Sequence, residues 1–258
     1  MKSKSQTGFT LIEMALALLI MGLVVGGGLN LMSSQMESQK LKETQAILEE
    51  AKNALIGFAV ANKRLPCPAS ATSLGQESFA VGGDKNNGLC SNFYNGFLPA
   101  AALGLSPTDE QGYATDAWGI APNRIRYAVY TGTINTVLNP FTRIDGMKNA
   151  GLTSLSATPL LQVCASATGI TATTCGTATA LTSTAPAVIY SVGKNAPLGG
   201  TGTDETENPN PNSANNDQFF VSHTPMPLGA ANGEFDDIVI WLSPNILFNR
   251  MVQAGQLP

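Results

Sequence analysis

Charge is scarce in this chain. Lys, Arg, Asp and Glu make up 12% of its 258 residues, about half the ~25% usual for a soluble domain. That excludes a Glu- and Lys-rich coiled-coil rod. Cations are fewer still, 14 Lys and Arg against 18 Asp and Glu, so the chain carries no basic footprint for nucleic acid. Aromatic residues stop at 7% and hydrophobic residues at 43%, too little for a multi-span membrane protein. There is a single histidine, His223. No G-x-S-x-G, H-E-x-x-H or phosphate-loop pattern occurs, so no enzyme is expected. The missing charge is replaced by Ala, Thr, Ser, Asn and Gly, the balance of a secreted or surface-exposed protein.

The apolar residues are concentrated at one end. From Phe9 to Met32 the sole charge is Glu13. A run of that length crosses a hydrocarbon core of ~30 Å as a helix. Lys2 and Lys4 precede it, which places the N-terminus in the cytoplasm and the bulk of the chain on the far side. The run exceeds the 7–15 apolar residues of a secretory signal, and no A-x-A-like site closes it. A carboxylate inside such a span costs ~2.5–3.5 kcal/mol on insertion scales. Glu13 therefore needs a cationic partner, and its own span offers none.

The hexapeptide Gly8-Phe9-Thr10-Leu11-Ile12-Glu13 resembles the processing motif of type IV prepilins and type II secretion pseudopilins. The resemblance implies a leader 1–8, cut between Gly8 and Phe9 by a prepilin peptidase that also methylates the new N-terminal Phe9. It gives Glu13 a partner, the amino group of a neighbouring subunit's Phe9. It further implies a bacterial inner-membrane precursor with a periplasmic C-terminal part, drawn by an inner-membrane assembly platform into a filament of pilin or pseudopilin subunits. In this family a proline is common near Asn30. Here Gly22 and Gly26-Gly27-Gly28 weaken the helix instead, each by about 1 kcal/mol relative to Ala, either to let it melt on assembly or to allow close packing.

From Ser33 the pattern becomes amphipathic. Leu41, Leu48, Leu55 and Asn62 recur every seven residues, with Thr44 or Gln45, Ala51 and Phe58 between them. This predicts a stalk helix over 33–64 with one apolar seam, ended by Pro66 and Pro68. Residues 65–258 hold all four cysteines and carry seven Lys or Arg against thirteen Asp or Glu. Strands are expected at Arg124–Tyr130, Leu160–Cys164, Ala187–Val192, Gln218–Ser222 and Asp237–Leu242, and a last helix at Asn245–Ala254. The expected fold is α+β: a long N-terminal helix, 9–32 apolar then 33–64 amphipathic, on an antiparallel sheet with long loops. The family resemblance implies that these pack as a pilin-like ladle.

Two further segments are similar to the major pseudopilin: Asp116-Ala117-Trp118-Gly119 with Tyr127, and Tyr190-Ser191-Val192-Gly193 with Asp237-Ile238 and Trp241. The long insertion between them and the helix after Trp241 depart from it, which points to a minor or accessory subunit. Cys67, Cys90, Cys164 and Cys175 lie beyond the membrane, so disulfides are expected. Four cysteines allow three pairings, and neighbours, Cys67–Cys90 and Cys164–Cys175, are favoured. The segment from Gly199 to Asp217 is acidic and Asn-rich. Asp204, Glu205, Glu207 and Asp217, with Asp237, are candidate calcium ligands, since calcium takes several hard oxygens. The major pseudopilin binds calcium just before the corresponding Asp-Ile, though the composition equally suits a solvated surface loop. No other cofactor is required. Asp236-Asp237 reads as a solvated strand start, and His223 as a surface or hydrogen-bonded residue. The Thr- and Ser-rich stretch Gly169–Pro186 is the alternative functional feature, an adhesive surface displayed on a filament.

Overall fold

The structure is a computed structural model and describes residue 8 and residues 10–119, 123–198, 200, 202–209 and 216–258, with the side chains of 24–34 and 198 set aside. Phe9 and the leader cations Lys2 and Lys4 lie outside the described residues.

Helix α1, Leu11–Asn62, is a single element of 52 residues whose backbone passes through Gly26–Gly28 and Asn30 without a break. By its contacts the chain divides into a unit ending at Lys42 and a unit Glu43–Pro258. In the first, every described side chain from Leu11 to Leu23 is exposed. Among the described residues no helix is long and apolar enough to cross a membrane.

In the second unit the last turns of α1 bury Thr44, Leu48, Ala51, Leu55 and Ala59. Leu41 is only half-buried and Asn62 is exposed. A straight helix drifts about 20° per heptad against a strict seven-residue repeat. The ends of the expected stripe therefore rotate out of the core, and Ala59 takes the place read for Phe58. That ring sits instead 5.3 Å from the Arg64 guanidinium. Lys63 has a left-handed backbone (φ 60°) that stops the helix, ahead of the prolines. Arg64 and Glu77 then form a two-pronged ion pair at 2.6 and 2.8 Å. Glu77 also accepts the Cys67 backbone N–H at 3.0 Å.

After α1 come β1 (Gly96–Phe97), α2 (Ala100–Leu103), β2 (Arg126–Val129), β3 (Thr133–Ile134), β4 (Val137–Leu138), α3 (Gly146–Ala150) and α4 (Leu152–Ala157). They are followed by β5 (Leu161–Cys164), β6 (Ala180–Ala185), β7 (Ala187–Ser191), α5 (Thr203–Glu207), β8 (Phe219–Val221), β9 (Ile238–Trp241) and α6 (Pro244–Gln253). The chain is thus α+β. The strands do not form one antiparallel sheet. The main sheet runs β1-β2-β7-β9 and is antiparallel throughout. A second runs β6-β5-β8, and its β5–β8 pair is parallel. Strands β2 and β7 are buried along their whole length, as are Tyr113, Tyr127, Tyr190 and Phe141 in the core. Disulfides join Cys67 to Cys90 and Cys164 to Cys175. The second forms a small separate core with Phe219, which closes the loop between β5 and β6.

Candidate functional site

The N-terminal site begins where α1 begins. Thr10 is the residue before the first helical turn, and Glu13 lies three residues on. The Glu13 N–H donates to Thr10 Oγ1 at 3.3 Å. In return Glu13 Oε2 accepts both the Thr10 N–H and the Thr10 hydroxyl at 2.9 Å. This is a capping box, which satisfies helix-end donors reciprocally. Thr10 thus engages one carboxylate oxygen of Glu13 without supplying the cation that its charge calls for. The signal was present as Thr-x-x-Glu ahead of an apolar run. Gly8 is exposed.

A second site lies in the other unit. Glu205 on α5 and Asp236 and Asp237 just ahead of β9 bring carboxylate oxygens within 4.8 Å of one another, and all three are buried. Glu205 Oε1 accepts the Asp236 N–H at 3.0 Å and Asn195 Nδ2 at 2.9 Å. Asp236 Oδ2 accepts the N–H groups of Lys194 and Asn195 at 3.1 and 3.3 Å. Asp237 accepts Asn208 Nδ2 at 2.8 Å. Asp236 Oδ1 is buried and has no hydrogen-bond partner among the described residues. Burial, then the negative charges of Glu205 and Glu234, push the Asp236 carboxyl up to about 7. Burial likewise drives Asp237 well above the usual range, against its bond from Asn208.

Of the five calcium candidates, the structure brings only Glu205 and Asp237 together. Asp204 points elsewhere, accepting Ser166 Oγ and the Ala167 N–H on one oxygen and Asn232 Nδ2 on the other. Burial opposes its ionisation, but those three donors and the nearby imidazole outweigh it and hold the carboxyl below its ordinary value. Asp217 accepts the Phe219 N–H within its own turn, and burial raises it. Glu207 is half-buried and outside the cluster. Asp236 is the member of the cluster that the sequence reading left out. Two adjacent acids opening a strand look solvated, yet here both are 6% exposed. Similarly, Asp204 and Glu205 are buried rather than part of a solvated loop.

Gly193 is shaped to this site. Its φ is +66°, and a Cβ there would lie 1.9 Å from Asp236 Oδ1. Gly193→Ala is expected to cost about 1–3 kcal/mol, from the left-handed backbone and the displaced carboxylate together. Chemical denaturation of the purified protein measures it, and an unchanged midpoint would rule the cradle out.

The Asp116–Gly119 and Tyr190–Gly193 segments also meet. Asp116 Oδ2 accepts Ser191 Oγ at 2.6 Å and Asn123 Nδ2 at 2.9 Å, tying the Asp-Ala-Trp-Gly turn to the end of β7. His223 stacks on Phe235 at 3.8 Å, with its Nε2 3.2 Å from Asp204 Oδ2. Ser166 donates to Asp204 and not to the imidazole, so the group holds no paired nucleophile and base.

No curated protein and no solved structure is significantly similar to the chain. Residues 3–29, however, match the prokaryotic N-terminal methylation motif, and the chain thereby carries the signature of the type IV pilins and pseudopilins.

Proposed function

We propose that the chain is a minor structural subunit of a type IV pilus or a type II secretion pseudopilus. The observation that carries this is the methylation motif set on a helix whose described apolar side chains are all exposed from Leu11 to Leu23. So large an apolar surface must be covered by lipid or by other subunits. In this reading a prepilin peptidase cuts after Gly8 and methylates Phe9. Phe9–Met32 holds the precursor in the inner membrane with its N-terminus in the cytoplasm, then packs in the filament core. The Glu43–Pro258 unit coats the filament outside, in a ladle-like subunit. Glu13 sets register by pairing with a neighbour's methylated N-terminus.

The buried cluster fits a divalent cation of the calcium class. Three carboxylates with an orphaned oxygen at Asp236 are a hard-oxygen set, and a cation would relieve their mutual repulsion. Glu205, Asp236 and Asp237 would hold it, and its role would be to stabilise the β7–β9 end of the sheet.

A second reading, a binding module on the filament, is favoured by one feature. No charged residue occurs from Asn149 to Gly193, and much of the loop inside the Cys164–Cys175 staple is exposed. A clean deletion, scored for surface pili, secreted protein and adhesion, separates the readings. Loss of pili or of secretion is expected, and loss of adhesion with both intact would favour the second. Mass spectrometry of the mature N-terminus is expected to show Phe9 first, carrying one added methyl group. An intact leader on the mature protein would remove the filament reading.

A further inference from the structure

We propose that α6 of one copy docks into a groove on the stalk of a second copy, so that copies of this chain adjoin within the filament; this rests on the filament reading above. The groove is a cavity of about 350 Å³ between α1 and the loop after α2. Its floor is apolar, with Ile47, Leu105 and Pro107, and Glu43 and Glu50 stand on its α1 side. Those two glutamates are exposed, and neither forms an ion pair among the described residues. They lie seven residues apart, about 10 Å along the helix. The other carboxylates of the groove are occupied, Asp109 by Arg124 at 2.7 Å and Asp116 by Ser191 and Asn123. The groove therefore offers an apolar floor and two uncompensated negative charges.

The complementary surface is on α6. That helix buries Leu247, Phe248 and Met251 and turns Ile246, 50% exposed, outward. Arg250 follows one turn later on the same face, exposed and without a carboxylate partner among the described residues. Within the Glu43–Pro258 unit Lys85, Arg143 and Lys148 also form no ion pair among the described residues, but of these four cations only Arg250 shares a helix face with a large exposed apolar side chain. The spacing of Ile246 and Arg250, about 6 Å, lets the isoleucine meet Ile47 and Leu105 while the guanidinium reaches Glu50 or Glu43. Groove and helix are different parts of one surface, so the contact is heterologous. It repeats head to tail, and where the rotation does not close into a ring it generates the open helical array that the filament reading calls for. Copies would then sit next to one another instead of being scattered singly among other subunits.

The test uses the full chain in cells that build the filament. A photo-crosslinking benzophenone amino acid replaces Ile246, and products are mapped by mass spectrometry. Crosslinks to peptides containing Ile47 or Leu105 of another copy are expected. Arg250→Glu, and separately Glu43→Lys with Glu50→Lys, should each lower filament incorporation about tenfold, as for a charge pair desolvated on contact. Combining all three should restore it, with both disulfides intact on non-reducing gels as the folding control. Crosslinks confined to other segments, or reversed charges that fail to rescue, overturn the proposal. A wild-type chain never found in filaments would reject the filament reading instead, while the same crosslink in membranes would still support the docking.

Discussion

Stripped of divalent cations, the detergent-solubilised protein is expected to melt at a lower temperature at about pH 8 than at about pH 5, opposite to the behaviour of a protein stabilised by paired carboxylates. The cause is Asp236. Its carboxyl has an ordinary value of 3.8 and is raised to about 7 in the fold. Below 3.8 the group is protonated folded or unfolded, and burial adds no charge penalty. As pH rises from about 4 to about 7 the unfolded chain releases the proton first, so stability falls through that window and levels off above it. A displacement from 3.8 to about 7 is worth on the order of 4 kcal/mol. Asp237 and Asp116, both raised by burial, act in the same direction. Asp109 and Asp204 are held below their ordinary values against burial, by backbone and side-chain donors. Their contribution is lost only as pH falls below about 4, outside the window.

Millimolar calcium is expected to restore stability at about pH 8 and to do little at about pH 5, where protons already neutralise the cluster. Asp236→Asn should flatten the pH slope and remove most of the calcium effect. It keeps one acceptor for the Lys194 and Asn195 amides. A melting temperature that stays level or climbs across the window, with and without chelator, would show that the cluster carries no buried-charge penalty.

The sequence was most informative where physical constraint is local. Strands β2, β5, β7, β8 and β9 all announce themselves through short β-branched and aromatic runs, because a buried strand must be apolar on its own account. Strand β6, Ala-Leu-Thr-Ser-Thr-Ala, does not: its first five residues are not buried, and its place is given by β5. Nothing in Phe219–Val221 shows that it pairs parallel to β5, since register between distant segments leaves no mark on either one. The cluster is a similar case. Glu205 and Asp237 were legible as hard-oxygen donors, but their burial depends on amide donors from Asn195 and Asn208. Those residues stand 10 and 29 positions from the carboxylates they serve and look like ordinary loop asparagines. The stalk stripe was displaced at both ends because a seven-residue count approximates a 3.6-residue helix over only two turns or so.

Glu13→Leu is expected to leave the precursor membrane-inserted and processed, yet to lower its recovery in sheared filaments about 100-fold or more. The argument turns on how the two carboxylate oxygens are used. Thr10 takes Oε2 through both its N–H and its hydroxyl, which leaves Oε1 for a second donor. The capping box and a neighbour's N-terminal ammonium are therefore compatible partners, not competitors. In the proposed filament, removing the carboxylate would leave that ammonium buried and unpaired, a loss of about 3–5 kcal/mol, and each 1.4 kcal/mol is about tenfold in an equilibrium. Glu13→Gln separates charge from capping, since a glutamine oxygen still accepts from Thr10; incorporation should fall nearly as far as for leucine. Thr10→Val removes the hydroxyl but neither the charge nor the Thr10 N–H bond, so about 1 kcal/mol of helix-end stability is lost and incorporation should drop less than about tenfold. The order Leu, Gln, Val is thus fixed by which partner is lost. Wild-type incorporation of Glu13→Gln would mean that Glu13 acts as a helix cap alone, and that register in the filament is set elsewhere.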